Sequence, residues 1–164
     1  MYEADMLKIE NYEGIIYLGR APGYGSDRIS DFRDIKALGV SKVYCLQEED
    51  ELLYLSNGTE NVEKRRESLN ELGIELVHSP VPDFGVPAKE QAAELVNSIL
   101  GDIRSGKNIL IHCMGGLGRT GTIAACVLAG TGIAPGDAVA KVRAVRPGTL
   151  ETAAQADFVR GYVE

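Results

Sequence analysis

The chain has no tryptophan, two histidines, three cysteines and six prolines in 164 residues, and each scarcity removes a class of molecule. Cys45, Cys113 and Cys126 cannot all pair and show no Cys-x-x-Cys spacing. With so few histidines beside them, they support neither a disulfide framework nor a zinc site. At least one must be explained as a thiol. Basic residues are the minority, 17 Lys plus Arg against 24 Asp plus Glu, for a net charge of -7. A chain of that sign lacks the cationic face that counterion release requires, which argues against nucleic acid or an anionic membrane as a partner. Only Lys64-Arg65-Arg66 forms a basic cluster. The longest apolar run, Ile123 to Ala129, falls far short of the roughly 20 residues that span a bilayer. Glu3 and Asp5 stand where a secretory signal would carry a basic flank, so a cytoplasmic protein with reduced thiols is expected.

What is present is ordinary globular composition, 45% hydrophobic and 25% charged. A chain of this length can bury roughly 70% of its unfolded surface as one unit, so a single domain over residues 1–164 is expected, with no metal staple. Ile15–Leu18, Val43–Leu46, Ile74–His78 and Ile109–Ile111 are short apolar runs of strand type. Helical patterns lie between them. One starts at a Ser26 or Asp27 cap and stops at Gly39, and the acidic stretch Gln47 to Glu51 opens a short second. Thr59 to Leu72 reads as a charged surface helix capped by Thr59 and closed by Gly73. Ala88 to Arg104 places Ala92, Leu95, Val96, Ile99 and Ile103 on one stripe, and Thr122 to Ala129 is apolar all round. Pro135 opens a helix with Ala138, Val142 and Val145 inward, and a last one aligns Leu150, Ala154, Phe158 and Tyr162. Strands alternating with helices predict an α/β domain with a central, mostly parallel sheet of four to five strands flanked by helices.

The chemistry concentrates in Ile111-His112-Cys113-Met114-Gly115-Gly116-Leu117-Gly118-Arg119-Thr120-Gly121, between an apolar strand and an apolar helix. A short loop there can turn its backbone N–H groups from Met114 to Arg119 inward, and the helix N-terminus adds positive potential at the same point. Gly115, Gly116 and Gly118 would allow the positive φ such curling requires. Cys113 at the base would have its thiolate stabilised by those donors. Arg119 can grip two phosphate oxygens with its planar fork. Attack of the sulfur on phosphorus would divide a slow hydrolysis into two steps. The plainer alternative is a glycine-rich turn with a buried cysteine, and the coincidence of His, Cys, Arg, Thr and three glycines weighs against it.

This segment resembles the signature loop of the cysteine-dependent protein-tyrosine and dual-specificity phosphatases, whose pattern is His-Cys, five residues, Arg, then Ser or Thr. The resemblance implies a fold of that family, Cys113 as nucleophile, Arg119 as phosphate clamp, and the amides of Met114, Gly115, Gly116, Leu117, Gly118 and Arg119 as the phosphate site. Thr120 would hydrogen-bond the Cys113 thiolate or cap the helix, and His112 would brace the loop rather than act as a base. The leaving group needs a proton. Asp83, in Val81-Pro82-Asp83-Phe84-Gly85-Val86-Pro87, is the candidate acid, and its loop is similar to that of compact archaeal-type and cyclin-dependent-kinase-inhibitor-like phosphatases. Phe84 stands where those proteins often have glycine. Val145-Arg146-Pro147-Gly148 and the helix after it match the family's Arg-Pro-Gly stretch, whose Gln, here Gln155, positions the hydrolytic water. Glu48 matches an acidic position near the active-site arginine.

The resemblance calls for no cofactor and no metal, and implies phosphorylated proteins or peptides as substrates. No Lys or Arg lies between Met114 and Gly118, where phosphoinositide-acting members commonly carry lysines. Phosphotyrosine hydrolysis, with phosphoserine and phosphothreonine within the family's range, is the expected activity. A catalytically idle phosphoprotein-binding module and a sulfurtransferase are the competing readings. Cys45 and Cys126 read as small core residues.

Overall fold

In the computed structural model, which describes residues 1–162, five strands form one sheet: β1 (Ala4–Leu7), β2 (Ile16–Gly19), β3 (Val40–Cys45), β4 (Glu75–His78) and β5 (Asn108–His112). Their order is β1-β2-β5-β3-β4, with β1 antiparallel to β2 and the other pairs parallel. The period of two along each strand divides the core. Ile16, Leu18, Tyr44, Leu46, Ile109 and Ile111 face one apolar cluster, and Tyr17, Val43, Cys45, Leu76 and Leu110 face the other. Both faces are covered, which is why the parallel strands read as continuous apolar runs.

Helices α1 (Arg28–Ala37), α2 (Glu49–Leu55) and α3 (Val62–Glu71) supply Phe32, Ile35, Leu52 and Leu69 to the second cluster. Helices α4 (Lys89–Arg104), α5 (Gly118–Gly130), α6 (Pro135–Val145) and α7 (Ala153–Tyr162) cover the other face. The α/β architecture with a mostly parallel sheet is as expected, and no helix among the described residues is long and apolar enough to cross a membrane.

Four local expectations need correction. Strand β1 carries no apolar alternation in the sequence because Ala4-Asp5-Met6-Leu7 is an edge strand with one buried residue, Leu7, and a half-exposed Met6. Asn61, not Thr59, caps α3: its Oδ1 accepts from the Lys64 amide at 2.9 Å, while the Thr59 hydroxyl donates to the Ser56 carbonyl at 2.6 Å. Helix α5 starts at Gly118, before Thr122, so the loop after β5 is shorter than the apolar pattern implied. On α7 Phe158 and Tyr162 pack against the core as expected and Leu150 is buried ahead of the helix, but Ala154 is exposed, and the buried helical residues are Gln155, Ala156 and Val159. Leu150 precedes the helix in a left-handed conformation (φ 56°), so it is not part of the helical repeat.

The carboxyl ends of the four parallel strands lie at one edge. Gly19 and Cys45 flank His112 in register, and His78 pairs with Cys45. The segments leaving those strands therefore converge beside Cys113, at the edge where open α/β sheets place their ligands.

Candidate active site

Cys113 follows β5 directly and is 3% exposed. None of the amides from Met114 to Arg119 donates to another backbone or side-chain group among the described residues, and the first helical bond runs from the Gly121 amide to the Leu117 carbonyl at 3.0 Å. The carbonyls of the same loop are all engaged. The Met114 carbonyl accepts from the Ala21 amide at 2.8 Å and that of Leu117 from the Leu150 amide at 3.1 Å. Arg146 donates Nε to the Gly116 carbonyl at 2.7 Å and Nη2 to that of Gly115 at 3.1 Å. With the carbonyls engaged, the amides are the unpaired backbone groups of the loop, the condition for an anion nest.

Of the three loop glycines only Gly116 has positive φ, at 75°. A Cβ there would also lie 2.3 Å from the Gly19 carbonyl oxygen. At Gly118 a Cβ would sit 2.6 Å from Glu151 Oε1 and 2.9 Å from Gln155 Nε2, so the ends of those side chains would have to shift. Gly115 has neither constraint, so the expectation of positive φ fails at two of the three positions.

Arg119 is 2% exposed and held from three sides. Glu51 accepts both of its Nη groups at 2.7 Å, the Val81 carbonyl accepts Nη1 at 3.0 Å, and Asp83 Oδ1 lies 3.1 Å from Nη2. The carboxylate on the arginine is thus Glu51 and not Glu48. Glu48 is the N-cap of α2, and Glu51, three residues on, points back across the site while also accepting the Glu48 amide at 2.8 Å. The run of acids from Glu48 to Glu51 was the signal in the sequence, and it did not single out Glu51. Arg146 was missed too, because nothing local links it to a loop thirty residues earlier.

His112 is fully buried, with Nδ1 3.1 Å from the Cys113 carbonyl oxygen and Nε2 without a partner among the described residues. Burial, reinforced by the charges of Arg65 and Arg119, pushes its pKa down to about 3. The ring is neutral at physiological pH. Facing a carbonyl, Nδ1 carries the proton and braces the loop. Thr120 is the third residue of α5 and not its cap, and its buried hydroxyl makes no hydrogen bond among the described residues, so the expected bond to Cys113 Sγ is not formed in this structure.

Asp83, half exposed, and Gln155, fully buried, reach the same place from two other elements. Gln155 Oε1 accepts from the Glu151 and Thr152 amides at 2.8 and 3.2 Å, and its Nε2 donates to the Gly85 carbonyl at 3.2 Å, tying α7 to the Asp83 loop. Phe84 between them is 59% exposed with φ 62°. Cys45 and Cys126 are buried in the core, where burial pushes their thiols up to about 11 and about 12. Cys45 belongs to the apolar cluster on the other side of the sheet from the one that includes Cys113.

Comparison with known proteins agrees with this geometry. A family model described as the DSP-PTPase phosphatase of polymorphic toxin systems matches residues 26–133. The chain belongs to this phosphatase family. Cyclin-dependent kinase inhibitor 3 of Rattus norvegicus is 28% identical over 135 residues, 80% of this chain and 61% of that protein. Protein tyrosine phosphatase domain-containing protein 1 of Danio rerio is 35% identical over 101 residues, 61% of this chain and 14% of that protein. The chain therefore spans less than two thirds of the length of these relatives. Among solved structures, a kinase-associated phosphatase with its catalytic-site cysteine substituted by serine superposes with a TM-score of 0.87 at 22% identity, covering 98% of this chain and 93% of that one. At that identity the likeness is one of fold. Tk-PTP in its active form gives 0.77 at 29% identity, covering 95% and 98%.

Proposed function

We propose that this phosphatase-family domain hydrolyses phosphotyrosine in proteins or peptides, with phosphoserine and phosphothreonine in its range, through a cysteinyl-phosphate on Cys113. The observation that carries the reading is the loop after β5, whose carbonyls are bonded outward while its amides from Met114 to Arg119 stay free around Cys113. A phosphate dianion seated there meets the nest and the Arg119 fork, which Glu51 already orients, so little side-chain freedom is lost on binding.

The Cys113 thiolate attacks phosphorus as the P–O bond to the leaving oxygen breaks, and Asp83, released from Arg119 by the incoming phosphate and protonated from solvent once unpaired, gives that proton to the leaving oxygen. Water placed by Gln155 then attacks the phosphocysteine, Asp83 takes the water's proton, and the P–S bond breaks to give inorganic phosphate and the thiolate. The free Thr120 hydroxyl donates to the departing sulfur. Neutral His112 holds the loop and transfers no proton. Exposed Phe84, beside Asp83, forms a wall for the substrate's side chain.

Kinase-associated phosphatase and cyclin-dependent kinase inhibitor 3 among the similar proteins support a phosphoprotein as the substrate class. A cytoplasmic site of action belongs to the same proposal.

The test is turnover of para-nitrophenyl phosphate in a metal chelator. The wild-type protein should turn over, and Cys113→Ser should lose at least about a thousandfold in kcat while still binding phosphate. A wild-type protein that binds phosphopeptides without turnover would instead be an idle binding module.

A further inference from the structure

The segment from Ser79 to Ala88 carries Asp83, and its shape is under strain. The Gly85 amide closes a turn onto the Pro82 carbonyl at 2.8 Å, and Phe84 within that turn is left-handed without being glycine. Such a conformation is unfavourable for a residue with a Cβ and persists only where the surroundings over-determine it. Phe84 is 59% exposed, so its own burial offsets little.

Three side chains from outside the segment hold it. Arg119 bonds the Val81 carbonyl and Gln155 the Gly85 carbonyl, and both must serve the phosphate and the water during turnover. The third is Gln91, on the first turn of α4. Its Nε2 donates to Ser79 Oγ at 2.8 Å and to the Pro80 carbonyl at 2.9 Å, and its Oε1 accepts from the Ala88 amide at 3.3 Å. One amide group therefore fastens both ends of the segment. Gln91 occupies the N3 place of a capping box, but Ala88 has no side-chain oxygen to reciprocate, which leaves Nε2 for the far end of the loop. The side chain is half-buried and borders a cavity of about 280 Å³ with Tyr44, His78 and Ser98, so it does little apolar packing of its own.

We propose that Gln91 is a positioning residue for the general acid: it sets the ends of the loop so that Asp83 meets the leaving oxygen once Arg119 and Gln155 have turned to their catalytic partners. This rests on the assignment of Asp83 made above. The proton matters only for a poor leaving group, so kcat/KM for phenyl phosphate and for para-nitrophenyl phosphate separates placement of the acid from a general structural role. Gln91→Ala should lower the first about tenfold and the second less than about twofold. Asp83→Asn, measured alongside, should show a larger loss with the same selectivity. If Asp83→Asn is not selective, the acid assignment itself fails. If Asp83→Asn is selective while Gln91→Ala lowers both substrates equally or neither, only the role of Gln91 is overturned. Should Gln91→Ala not fold, Gln91→Glu keeps the acceptor for Ala88 and loses the donor to Pro80. It should show the same selective loss, and a wild-type ratio would overturn the proposal.

Discussion

At the scale of single residues, the site works by fixing groups whose charge state is set by what surrounds them. His112 shows this most directly. Its folded pKa is pushed down to about 3 from 6.5 by burial and by the charges of Arg65 and Arg119. The unfolded chain takes up a proton near the ordinary value, so between about pH 6.5 and about 3 it binds more protons than the native state. Stability must fall as the pH falls through that window, by at most about 1.4 kcal/mol per pH unit from this group. Asp31 contributes lower down: against a burial effect that favours its neutral form, bonds from Arg20, the Gly23 amide and Ser26 hold its carboxyl below 3.8. Urea unfolding followed from pH 7 to 4 should therefore show a shallower slope in His112→Asn than in the wild-type protein. Equal slopes would contradict a buried neutral imidazole.

At the scale of elements, catalytic groups are legible when they are neighbours in the chain and obscure when a helix turn or a distant loop delivers them. His112, Cys113, Arg119 and Thr120 occupy one strand-loop-helix segment, so their pattern carried both chemistry and local geometry. Asp83 and Gln155, named through their resemblance to family segments, are brought to the Arg119 loop by the fold, Asp83 against Arg119 and Gln155 against the Gly85 carbonyl. The partner of Arg119 was placed one helical turn early, since a run of acids names several candidates and only the direction of α2 selects Glu51. Thr59 and Asn61 differ for a similar reason: both can cap, and the bond from Thr59 to Ser56 decides. Arg119 is almost fully buried and Glu51 only 15% exposed, so removing the carboxylate leaves a charge with little solvent to replace it. Glu51→Ala should cost about 3 kcal/mol in chemical denaturation and at least about tenfold in kcat/KM. Denaturation and kinetics both at wild-type values would show that α2 does not orient the arginine.

At the scale of the whole molecule, the sheet edge gathers segments far apart in sequence, and Arg146 shows how far this reaches. From the end of α6 it bonds two carbonyls of the Cys113 loop and places Nη1 2.9 Å from Asp5 Oδ2 on β1. The antiparallel edge strand, faint in the sequence, is thereby tied to the Cys113 loop. Lysine cannot supply that fork, so Arg146→Lys should weaken inhibition by inorganic phosphate about tenfold. Unchanged inhibition would mean that the loop holds its amides inward without it.

The decisive measurement is a rapid acid quench of the protein with a phosphorus-labelled aryl phosphate, followed by peptide mapping. Label should be found on the Cys113 peptide, with more of it in Gln155→Ala, where the second step is slowed, and none in Cys113→Ser. Turnover with no labelled cysteine, or label on another residue, would contradict the account.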